Sequence, residues 1–150
     1  KRTMKTTAKL LAAGIMVFLF TGLTSMSYFN YQQDGKKKPW VVPEKSKALK
    51  NPVKSDDANL VSGKTLYNKH CKSCHGAKGL GDGTKAKELD TPSGDFSVKE
   101  FQSQTDGEIF YKTKEGRDDM PSYKKKITDD DEIWSVVNYV RTFKNESPKK

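Results

Sequence analysis

Cys71, Lys72, Ser73, Cys74 and His75 place the chain's two cysteines three residues apart, with a histidine directly after the second. C-x-x-C-H is the spacing of covalent c-type haem attachment. On a helical turn, positions i and i+3 share a side, so both thiols reach one porphyrin edge as thioethers. His75 then projects towards the iron. Downstream of the motif there is one methionine, Met120, followed by Pro121 in the polar run Asp118-Asp119-Met120-Pro121-Ser122-Tyr123. A polar loop is an odd place for a gap-filling methionine. A neutral thioether opposite a histidine raises a haem potential and suits electron transfer, and the adjacent proline stiffens the loop. Cys71, Cys74, His75 and Met120 are therefore the expected cofactor-binding residues, with His75 and Met120 as the iron ligands. No catalytic residue is expected.

Other chemistries for these residues fit less well. A thioredoxin-type dithiol expects a βαβ setting, which the sequence lacks. A zinc site would have to crowd His70, Cys71, Cys74 and His75 into six residues with no second ligand pair elsewhere. His70 points away from its neighbour on a helix and reads as a surface or packing residue.

The elements that must position these residues are helices. The first is expected from about Asn59 to Cys71, with Leu60, Gly63, Leu66 and Tyr67 at contact spacing. A middle helix follows Thr105, where Thr105 and Glu108 form a capping box and Gly116 supplies the stop. The last spans about Asp129 to Phe143: Ile133, Val136, Val137, Val140 and Phe143 form an apolar stripe. Thr128 or Asp129 caps it, and the acidic run Asp129–Glu132 suits the positive end of the helix dipole. No strand pattern stands out, and residues 76–105 read as loop. The expected fold is all-α, a small helical domain of about 90 residues wrapped around one covalently bound haem that adds apolar surface to a small core.

The 150 residues carry a formal charge of +9. Residues 1–54 hold 11 Lys/Arg against 2 Asp/Glu, whereas residues 55–150 hold 17 of each. The basic excess belongs to the N-terminal extension, and nucleic-acid binding loses its support. Residues 1–33 read as a targeting or anchoring segment, with Lys1, Arg2, Lys5 and Lys9 ahead of an uncharged stretch. Leu10–Phe20 has the length of a signal-peptide core, with Ser25-Met26-Ser27 as a cleavage site. The whole of Leu10–Phe29 reaches the length of a membrane-spanning helix. An uncleaved anchor in the inner membrane is expected, the alternative being a soluble periplasmic protein after cleavage; either way the rest is exported. Residues 34–55 read as a Pro/Lys-rich linker, partly extended, with Trp40-Val41-Val42 as an apolar island. The helical domain is drawn from 56 to 145, and 146–150 is a tail.

From about Asn59 to Phe143 the sequence resembles a class I c-type cytochrome. The resemblance is carried in order by Gly63 and Tyr67, by Cys71–Gly76, and by Gly79-Leu80-Gly81-Asp82-Gly83. It continues through Asp95-Phe96-Ser97, Thr105–Phe110, Gly116, Met120-Pro121 and Tyr139. It implies that the first and last helices cross at Gly63 with Tyr139 packed nearby. It also implies that a proline carbonyl, here Pro92, accepts the histidine Nδ1 proton. One haem c with His/Met ligation and an electron carrier on the periplasmic side of a bacterial inner membrane, either a tethered shuttle or the cytochrome subunit of a respiratory complex, follow as expectations. Its partners would be a redox donor and acceptor, such as a respiratory complex, a terminal oxidase or a reductase. The competing expectation is a haem protein with an open iron site, acting as an enzyme subunit or gas sensor.

Overall fold

The structure is a computed structural model that describes residues 39–145. The chain divides into two units at Trp40/Val41, and the account below concerns the second. The anchor candidate Leu10–Phe29 lies outside the described residues. Among those described, no helix is long and apolar enough to cross a membrane.

Six α-helices and two short 3-10 turns make up the described part of this unit: α1 (Glu44–Lys47), α2 (Asp57–His70), α3 (Lys72–His75), a turn at Ala86–Glu88, α4 (Lys99–Gln102), α5 (Asp106–Glu115), α6 (Asp130–Arg141) and a turn at Thr142–Asn145. No strand occurs among the described residues, only an isolated bridge between Arg117 and Met120. The domain is all-α, as expected.

The caps explain where the helices begin. Asp56 accepts the Asn59 N–H (3.0 Å) at the start of α2. At α5, Thr105 and Glu108 exchange both capping-box bonds, at 3.1 and 2.7 Å. Asp129, rather than Thr128, caps α6. These bonds satisfy amide groups that a helix start otherwise leaves unpaired.

α2 and α6 cross at Gly63. A Cβ on Gly63 would sit 2.1 Å from the Ser135 carbonyl oxygen and 3.0 Å from the Tyr139 Cβ. Only a glycine admits so close an approach, which offsets its cost of about 1 kcal/mol within a helix. Below the crossing, Tyr67 is fully buried, with its ring centroid 5.4 Å from Tyr139 and 5.2 Å from Phe143. Phe110 of α5 stacks on Trp134 of α6 at 4.0 Å. The Arg141 guanidinium binds Asp106 (2.7 Å) and the Gln102 and Gln104 carbonyls, joining α4 and α5 to the end of α6.

Residues 41–55 differ from the expected tether: they form a strap packed on the helical body. Val42 and Ser46 are buried. The Ser46 carbonyl lies where a Cβ on Gly107 would be, at 2.0 Å, and the Thr105 hydroxyl donates to the Lys47 carbonyl (2.9 Å). Asn51 donates to the Asn138 side chain (2.8 Å), and Asn138 donates to the carbonyls of Val53 (3.0 Å) and Lys54 (3.2 Å). The strap is thus held by backbone carbonyls and side-chain amides, together with the buried Val42 and with Val53 packed against the core.

Candidate haem-binding site

α2 delivers Cys71 at its C-cap, and α3 carries Cys74 and His75 one turn on. Both cysteines are free thiols, Cys71 buried and Cys74 half-buried. Burial pushes the Cys71 thiol up to about 12. Among the described residues, no group of three or more His, Cys, Asp or Glu side chains is arranged to hold a metal ion.

The loop after α3 folds back and caps it. The amides of Lys85, Gly83 and Gly81 donate to the carbonyls of Ser73 (2.8 Å), Cys74 (3.3 Å) and His75 (2.9 Å). These are the C-terminal carbonyls that so short a helix cannot satisfy itself. A Cβ on Gly83 would lie 2.3 Å from the Ser73 carbonyl oxygen, so the glycine allows backbone to lie on backbone. The buried Tyr67 hydroxyl donates to the Gly76 carbonyl (2.7 Å), pinning the chain directly after His75.

His75 stacks on Phe96 with centroids 4.4 Å apart and planes 29° apart, and Phe96 stacks in turn on Phe101 at 4.3 Å. Asp95 accepts from the Ser97 amide (2.7 Å) and hydroxyl (2.6 Å), while Phe96 donates its amide to the Gly79 carbonyl (2.6 Å). The Asp95-Phe96-Ser97 triplet is a turn that presents an aromatic ring to the imidazole. Burial pushes His75 down to about 4, with the Ser93 backbone acting in the opposite direction. The imidazole is therefore neutral near pH 7. Its Nδ1 is buried and has no hydrogen-bond partner among the described residues, so the bond to the Pro92 carbonyl expected from the resemblance is not formed.

Met120 arrives on a tight hairpin after α5. Arg117 and Met120 exchange both backbone bonds, at 2.8 and 2.9 Å, across a turn in which Asp118 adopts φ +51°. Aspartate is among the few residues other than glycine that tolerate this left-handed region. The Lys114 carbonyl accepts from the Ser122 hydroxyl (2.8 Å) and from the amides of Tyr123 (3.1 Å) and Lys124 (3.2 Å), closing the hairpin onto α5. Tyr123 donates its hydroxyl to the His70 carbonyl (2.7 Å). Burial pushes that phenol up to about 12, and both cysteine thiols act on it in the same sense. His70 packs edge-on against the Tyr123 ring at 5.7 Å, in the packing role expected of it.

Cys71 and Tyr123 belong to one buried apolar cluster, and Met120 packs against it. The structure therefore brings the hairpin to the same core as the attachment turn. A covalently held haem c fits these residues: two uncoupled thiols, a neutral imidazole with an unpartnered buried Nδ1, and a thioether on a constrained turn. Phe96, Tyr123, Ser93 and Asp119 add roles that spacing alone does not signal. The Asp95-Phe96-Ser97 triplet and the run ending in Tyr123 stand out in the sequence, but their geometry does not.

A helical body crossing at a glycine and presenting C-x-x-C-H on a capped turn defines a class I c-type cytochrome. The chain belongs to the family described as cytochrome C oxidase, cbb3-type, subunit III, whose model matches residues 58–140. No curated protein matches the sequence. Among solved structures, a chain of the Kuenenia stuttgartiensis reducing HAO-like protein complex is similar, with 25% identity and a TM-score of 0.57. The match covers 72% of this chain and 52% of that one, so this chain spans about half the length of that relative. Membership implies covalently bound haem c and haem-based electron transfer, and cytochrome c domains are generally periplasmic or extracellular.

Proposed function

We propose that this chain is a mono-haem electron-transfer subunit of a respiratory-type complex, working on the periplasmic side of a bacterial inner membrane. The observation that carries this reading is the packing of the Met120 hairpin against the same core as Cys71, one helical turn from His75. Cys71 and Cys74 would hold the haem by thioethers, and His75 and Met120 would hold its iron. The bound haem supplies one-electron redox chemistry. The polypeptide positions the two ligands and keeps the imidazole neutral. With both faces taken by protein ligands, the domain acts as a carrier rather than as a catalyst.

Residues 1–33 would anchor the chain through Leu10–Phe29. The packed strap over residues 41–55 takes up most of the expected 34–55 linker. This supports a fixed subunit over a freely swinging shuttle. The likeness to a chain of an HAO-like complex also supports membership of a multi-protein oxidoreductase. Lys72, Lys78, Lys125 and Lys126 are exposed near the haem-binding segments and would steer an acidic donor or acceptor. Electron-transfer rates should then fall steeply with added salt, and a flat response would reject the lysine rim.

The test of the ligand set is spectroscopic. A pyridine haemochrome of the c type and a weak far-red methionine–iron band in the ferric protein support the reading. A high-spin ferric spectrum, with carbon monoxide binding to the reduced form, supports an open-site haem protein instead.

A further inference from the structure

The Met120 hairpin reaches across to the segment behind His75. At its tip, Asp119 Oδ2 accepts the Thr91 backbone N–H at 2.9 Å, joining residues 28 positions apart. Thr91 lies five residues before Phe96, whose ring stacks on the His75 imidazole at 4.4 Å. The hairpin's other bonds run within itself, as Arg117 with Met120, back to α5, as Lys114 with Ser122, Tyr123 and Lys124, and to the end of α2, where the Tyr123 hydroxyl donates to the His70 carbonyl. Asp118, its neighbour at the tip, turns the other way and pairs with Arg117 at 3.1 Å. The left-handed φ of Asp118 sends the two successive carboxylates to different partners. A charged acceptor on a backbone donor is among the stronger hydrogen bonds available to a loop.

We infer that Asp119 is a positioning residue for Met120: its bond to Thr91 latches the methionine arm to the histidine arm and slows release of the thioether from the iron. The inference rests on the reading of Met120 as an iron ligand. The latch acts on the side of the haem held by coordination alone, whereas the cysteine side is held covalently. It sets how often the sixth position opens, and so how well the carrier resists external ligands.

The test uses the full-length holoprotein and its Asp119→Ala and Asp119→Asn variants. Stopped-flow mixing of the ferric forms with imidazole measures the rate at which the sixth position becomes available. Asp119→Ala should bind imidazole roughly fivefold faster, the fold-change equivalent to the about 1 kcal/mol of a typical hydrogen bond. Asp119→Asn keeps a carbonyl acceptor and should remain near the wild-type rate. Wild-type kinetics in Asp119→Ala would overturn the latch, as would equal acceleration in both variants. A lowered unfolding midpoint with no change in imidazole rate would also overturn it, leaving only a structural role. Absence of the far-red band in the unsubstituted protein would overturn the ligand reading itself, and is seen before any substitution is made.

Discussion

The attachment turn and the methionine hairpin hold their residues in different ways. Around Cys71–His75, backbone lies on backbone: the amides of residues 81, 83 and 85 cap α3, and the buried Tyr67 hydroxyl closes the exit. Around Met120, the fastenings lie closer to solvent, with a carboxylate at the exposed tip and a shared carbonyl at Lys114. The first region suits a site set once, when the thioethers form. The second suits a ligand whose hold sets the potential of the iron and can be adjusted residue by residue. Breaking the first should cost the cofactor, and breaking the second should cost only the character of the iron.

The largest effect is expected from Cys71→Ala/Cys74→Ala, which removes both thioether positions. Haem should be lost on denaturation in acid acetone, and the c-type haemochrome should disappear. Covalent haem remaining in the double variant would break the comparison at its first term. Gly83→Ala comes next, because its Cβ would lie 2.3 Å from the Ser73 oxygen and 2.6 Å from the Cys74 carbonyl carbon. Overpacking of this kind costs about 1–3 kcal/mol, read as a lower urea midpoint together with a lower yield of attached haem.

Met120→Ala should keep its haem and its fold but lose the far-red band. Its potential should fall, because the thioether that raises it is gone. An unchanged potential would put the sixth ligand elsewhere. Gly107→Ala is the mildest case. Its Cβ would meet the Ser46 carbonyl at 2.0 Å and push the strap away, while the alanine itself returns about 1 kcal/mol of helix propensity. Cleavage by trypsin between Lys45 and Lys54 should be slow in the parent and faster in this variant, with the haem spectrum unchanged. Rapid cutting of the parent would contradict a packed strap.

How legible each part was follows from where its information lies. The capping box at Thr105 and the apolar stripe of α6 are carried by side-chain types at fixed spacing, and each appears where expected. Gly63 was legible as a crossing point through the resemblance to class I c-type cytochromes, and the close approach of Ser135 gives the helical glycine its reason. The strap was not. Its prolines and lysines have the composition of a linker, and what holds it is backbone carbonyls meeting Gly107, Thr105 and Asn138, which have no periodicity to read. The Thr91–Asp119 bond was hidden for the same reason, because a backbone N–H donor has no residue signature. Pro92 shows the limit at single-residue scale: its carbonyl was expected to accept from His75, and the imidazole Nδ1 is buried without a hydrogen-bond partner among the described residues. α4 was missed because four residues are too few to show a helical repeat.

The absorption spectrum of the ferric full-length protein near neutral pH tests the account most directly. The account requires a low-spin spectrum with a weak far-red band that disappears in Met120→Ala while the covalent haem stays. A high-spin spectrum without that band in the unsubstituted protein would contradict it, and would make the open iron site the better description of this cytochrome.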